Sequence, residues 1–137
     1  MKCPFSAPLT KSTAACPHAQ EVVRRGGAEF DCLSEADHVR CEAVFAGLKA
    51  RGLAAFDVDD DLTQMPHSVL VKIQAGGLLG LQRLLKAPDD AARIADIAQL
   101  VRRAVEQFGS PERIPYAELD ADMTAFRLER RADRRRG

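Results

Sequence analysis

Four cysteines stand in the first 41 residues, Cys3, Cys16, Cys32 and Cys41, spaced C-x12-C-x15-C-x8-C, and none follows them. Thiolates are the ligands that soft metals prefer, and four complete either a tetrahedral zinc site or a [4Fe–4S] cluster. Two of the cysteines precede proline, as Cys3-Pro4 and Cys16-Pro17. Proline disfavours the α region for the residue before it, so each step turns the chain away just after its sulfur. It also removes one backbone N–H beside the site. Zinc ligands usually come in close pairs of the C-x2-C or C-x4-C kind, and no such pair is present. The sulfur ligands of a cluster stand farther apart than those of one zinc ion, which favours an iron–sulfur centre on Cys3, Cys16, Cys32 and Cys41. Zinc is the alternative, with ordinary or redox-active thiols and disulfides behind it. Cysteine also fills cores as a small hydrophobe, but its confinement to one loop-rich third of the chain suits that role badly.

On these isolated cysteines and Cys-Pro steps, residues 3–41 resemble small four-cysteine iron–sulfur proteins in general. The ferredoxin run C-x2-C-x2-C-x3-C-P is absent, so the resemblance points to no particular family. It implies a [4Fe–4S] cofactor and electron transfer.

Other residues with possible chemistry lie around the cysteines. His18 follows Cys16-Pro17, and His38 lies three residues before Cys41. Either can replace a thiolate in a Cys3His site, but four cysteines already fill the count, so hydrogen-bonding neighbours are the expectation. His67 reads as a surface or cap residue. Arg24 and Arg25 can screen a cluster's charge, or simply favour a helix C-terminus. Asp57, Asp59, Asp60 and Asp61 lack the calcium-loop pattern and read as a solvated acidic loop. Gly76, Gly77 and Gly80 predict close helix packing; the phosphate-loop pattern is missing. The tail 127–136 holds six Arg against Glu129 and Asp133 and reads as a frayed helix end or a partner contact.

The elements expected to position the cysteines are helical. Residues 1–16 lack periodicity and read as a loop. Pro17 suits a first helical position and Gly26-Gly27 a stop, which predicts a short helix from 17 to 25. Ser34 is a good N-cap for a second helix, with Glu35 and Asp37 in its first turn and Ala36, Val39, Ala43 and Leu48 on its apolar side, ending near Gly52. Residues 53–66 read as a connector. A third helix is expected over 66–86, with Leu70, Ile73, Gly77, Leu81, Leu84 and Leu85 on one face. Pro88 and Asp89 open a fourth over 89–108, with Ile94, Ile97, Val101, Ala104 and Phe108, which Gly109-Ser110-Pro111 ends. A fifth over 116–134 carries Leu119, Met123 and Phe126. The expected fold is all-α: a small irregular bundle of about five helices in a single domain, 1–137. Residues 1–42 form its loop-rich, cysteine-bearing segment and 43–137 its helical body.

Length and composition fit that picture. The chain has 137 residues, 46% hydrophobic and 29% charged, enough for one packed core. A formal net charge of zero gives no general attraction to nucleic acid. No apolar run is long enough to span a bilayer and no signal-peptide pattern is visible, so a cytoplasmic location is expected, where thiols stay reduced. No nucleophile motif or defensible carboxylate pair argues for an enzyme. Two roles follow. One is a small [4Fe–4S] electron-transfer protein, a carrier or accessory subunit docked on a larger redox complex. The other is a zinc-stabilised structural or assembly adaptor that binds a partner through its helices.

Overall fold

The computed structural model describes residues 2–10, 14–24, 27–56, 67–85, 94 and 96–126. The chain is mostly helical with one small two-stranded sheet. A short helix α1 (Ser6–Thr10) is followed by an antiparallel hairpin, β1 (Ala19–Arg24) with β2 (Gly27–Cys32). The long helix α2 (Glu35–Ala55) follows. Next come α3 (His67–Val71), a π-helical turn (Lys72–Gly76) and α4 (Gly77–Leu84), which run on from one another. Helix α5 (Ile97–Phe108) is followed by two 3-10 turns and the short helix α6 (Asp120–Thr124).

Helix α2 begins where expected. Ser34 caps it, its side chain accepting from the Asp37 N–H, and Glu35 and Asp37 fill the first turn. It runs three residues past Gly52. Its buried face, however, is Asp37, Cys41, Val44, Leu48 and Gly52, while Val39 is 62% exposed. The expected apolar side was thus turned about the helix axis. The buried residues recur at three and four, but a carboxylate and a cysteine are two of them.

The hairpin replaces the helix expected over 17–25 and makes the all-α expectation too strict. Only residues 25 and 26 separate the strands, and Ala19 pairs with Cys32 and Arg24 with Gly27. Val22-Val23 before a Gly-containing two-residue link is a hairpin signal that the Pro17 and Gly26-Gly27 helix signals obscured. The described residues 2–10 and 14–16 carry more structure than the expected loop: α1 forms, Lys2 bridges Asp31, and Ala14 bridges Ile94.

The centre of the fold is the α3–α4 stretch. Val71, Ile73, Gln74, Ala75, Gly76, Gly77, Leu78, Leu81 and Leu85 are all buried, so it is wrapped on several sides; Leu70 and Leu84 are only half-buried. Packing is close because three glycines let neighbours in. A Cβ at Gly76 would meet the Asp122 backbone oxygen at 2.6 Å, and one at Gly80 would meet Leu119 and Asp122. Buried Gln74 accepts the Ala7 N–H at 3.1 Å, which pins α1 to the π turn.

Helix α5 starts later than expected. Ile94 is in a bridge with Ala14, and Asp96 is the N-cap, accepting from Gln99 N–H at 3.1 Å. Residues 86–93, with Pro88 and Asp89, lie outside the described residues. Gly109 ends the helix with φ 98°, the left-handed C-cap that glycine supplies. Leu119 and Met123 are fully buried on the last elements, and residues 127–137 lie outside the described residues.

Candidate metal centre

Each cysteine is held in place by a different segment. Cys3 is held against β2 by its N–H, which donates to the Phe30 carbonyl at 2.9 Å, beside the Lys2–Asp31 bridge. Cys16 follows Ala15, which pairs twice with the start of α5: its N–H donates to Ile94, and its carbonyl accepts from Ile97, both at 2.9 Å. Cys32 closes β2, and the next N–H, of Leu33, donates to the His18 carbonyl at 2.8 Å. Cys41 sits on the buried face of α2. Cys3, Cys32 and Cys41 are buried and Cys16 is half-buried.

The four thiols lie within electrostatic range of one another. Burial pushes the Cys41 thiol strongly up, and the charges of Cys3, Cys16 and Cys32 add to the effect. Burial likewise pushes Cys3 up to about 11, with contributions from Cys16 and Cys32. Cys16 is also raised by burial, with Asp96 and Cys32 contributing. All six pairings among the four thus oppose simultaneous ionisation. At neutral pH Cys3, Cys16 and Cys41 hold their protons, and a cationic centre would remove the repulsion that keeps them protonated. Among the described residues no three His, Cys, Asp or Glu side chains gather as ligands of a single metal ion.

The two Cys-Pro steps share a local geometry. The Phe5 N–H, two residues after Cys3, donates to the Cys3 sulfur at 3.4 Å. The His18 N–H likewise bonds the Cys16 sulfur and favours its thiolate. Cys16 receives a further N–H from Ala98, the second residue of α5, so its sulfur faces a helix N-terminus, where negative charge is favoured. Sulfur–amide bonds of this kind are among the influences that tune cluster potentials. The Cys32 thiol instead donates to the Ser34 carbonyl at 3.3 Å, a bond that ends when the thiol ionises.

The histidines find oxygen partners. His18 Nε2 lies 3.2 Å from Asp37 Oδ2. His38 Nε2 donates to the Lys2 carbonyl at 2.9 Å and lies 3.6 Å from Glu42. Arg25, the acidic residues 57–61, the tail 127–136 and the side chains of Arg24 and His67 lie outside the described residues.

The cations near the cysteines are others. Asp37, 7% exposed, accepts from Ser34 Oγ at 2.9 Å, pairs with Arg40, and has Arg102 Nε at 3.2 Å. Burial alone would raise its pKa, but Arg40, Ser34 and Arg102 together hold the carboxyl below the usual range. The buried Nε of Arg40 has no hydrogen-bond partner among the described residues. As a first-turn acid of α2, Asp37 already has a sufficient local reason, which hides this role in the sequence; the signal is its place on the Cys41 face, four residues back.

Comparison with protein-family models, curated proteins and solved structures gives no match for this chain.

Proposed function

We propose that Cys3, Cys16, Cys32 and Cys41 hold a [4Fe–4S] cluster, and that the protein transfers single electrons as a carrier or accessory subunit on a larger redox protein. One observation carries this reading: four thiols from four separate segments lie in mutual electrostatic range. The donor set fits, because thiolates bind iron–sulfur clusters and the N–H groups of Phe5, His18 and Ala98 already face two of the sulfurs. When bound, the cluster would supply one-electron chemistry at a potential set by burial and sulfur hydrogen bonds. The protein's own part is to bring the thiols together, give up their protons on loading, and keep water from three of them. With the cluster held by Cys3, Cys16, Cys32 and Cys41, one electron would enter from a donor protein and leave to an acceptor protein.

The zinc-stabilised adaptor is disfavoured by the lack of close Cys-x2-Cys pairs in the sequence. The described residues contain no helix long and apolar enough to cross a membrane, and we place the protein in the reducing cytoplasm, where free thiols persist. The test is anaerobic purification from the native host with iron, sulfide and zinc analysis, followed by dithionite titration. About four iron and four sulfide per chain, with a visible band that bleaches and returns, is the expected result. One zinc per chain and no visible band would overturn it.

A further inference from the structure

Asp37 and His38 are adjacent on α2, and between them they touch a residue within two positions of every cysteine. His38 Nε2 donates to the carbonyl of Lys2, one residue from Cys3. Asp37 pairs with His18, two residues from Cys16. It accepts from Ser34, two residues from Cys32, and pairs with Arg40, the neighbour of Cys41. Its fourth partner, Arg102, belongs to α5, whose Ala98 N–H faces the Cys16 sulfur. The cysteines themselves are far apart in sequence and sit on a leading segment, a loop, a strand end and a helix. No single element could set their separation.

We infer that Asp37 and His38 are the positioning residues of the four-thiol centre, fixing the cysteine-bearing segments from one turn of α2. This rests on the proposed function for the identity of the centre but not for the arrangement of the thiols. The two residues divide the task by chemistry. Asp37 is a buried anion that gathers two guanidinium groups, an imidazole and a hydroxyl, so no other segment can supply its substitute. His38 gives one hydrogen bond to a main-chain carbonyl, which holds the leading segment. Outer partners of this kind orient ligands and commonly change metal affinity by about 10–100-fold when removed. Asp37 also adds negative charge that Cys41 feels, so it opposes reduction of a centre bound there.

The experiment uses the full chain as wild type, Asp37→Ala, Asp37→Asn and His38→Ala. In the metal-free, reduced proteins the rate of thiol labelling by a maleimide is measured beside helical circular dichroism. After anaerobic reconstitution, iron retained against a chelator and the midpoint potential are measured. The expected results are faster labelling in Asp37→Ala with helicity kept, iron affinity lower by about 10–100-fold, and a higher midpoint potential in Asp37→Asn. His38→Ala should speed labelling of Cys3 before the other thiols. If Asp37→Ala loses its helicity, Asp37→Asn and His38→Ala decide. Wild-type labelling rates in both of those variants, with potential and iron retention unchanged, would overturn the inference. A wild-type chain that takes up no iron would instead overturn the proposed function, while the labelling rates still judge the positioning role.

Discussion

At the scale of single residues, burial holds the thiols of Cys3, Cys16 and Cys41 in their neutral form. Cys3 gives this a pH signature. Its pKa rises from 9.0 in the unfolded chain to about 11 in the folded one. The neutral thiol's contribution is therefore fully present below pH 9.0 and is lost as pH rises through about 11. The metal-free protein should lose stability to urea across that window, and Cys3→Ser should flatten the loss. An unchanged slope in that variant would contradict the account. The cysteines were legible in the sequence because their residue type and clustering have few other uses. Asp37 was not, since a first-turn acid on a helix already has a local explanation, and its partners His18 and Arg102 are distant in sequence.

At the scale of elements, the glycines that let the α3–α4 stretch sit in the middle of the fold are the most sensitive points. Gly76→Ala would drive a methyl into the Asp122 backbone oxygen, which cannot swing aside as a side chain can. A loss of about 1–3 kcal/mol is expected, measured by chemical denaturation. Wild-type stability would show that α6 yields freely. The glycine spacing foretold this packing. The hairpin was harder to read: Val22 and Val23 are followed within four residues by Gly26 and Gly27, but Val23 is 85% exposed, so the strand lacks the alternation that marks a half-buried one. Pro17 and the glycine pair fit a helix equally well. The late start of α5 has a similar cause. Ile94 continues the apolar period of the helix but spends its backbone on a bridge to Ala14, a contact no local pattern discloses.

At the scale of the whole molecule, the proposed site draws its cysteines from the N-terminal third and leans on α2 and α5. The helical body and the leading segment share one core, in which Phe5, Leu9 and Ala14 join Leu48, Ile73, Leu78, Leu81, Val101, Leu119 and Met123, but only the leading segment, the hairpin and the first turns of α2 carry the cysteines. Loss of the centre should therefore be felt unequally, because metal binding is coupled to the ordering of the segments that supply its ligands. Hydrogen exchange before and after chelation should show residues 2–10 and 14–34 losing more protection than Ile97–Phe108. Equal loss along the chain would mean that the body depends on the metal as much as the leading segments do.

The central claim is that the four cysteines share one iron–sulfur centre, and native mass spectrometry of the anaerobically isolated chain tests it most directly. The account predicts one species heavier than the bare chain by a single [4Fe–4S] unit, with that species lost from each of Cys3→Ser, Cys16→Ser, Cys32→Ser and Cys41→Ser. A bare chain, a chain carrying one zinc ion, or a cluster that survives the loss of any of the four would contradict it.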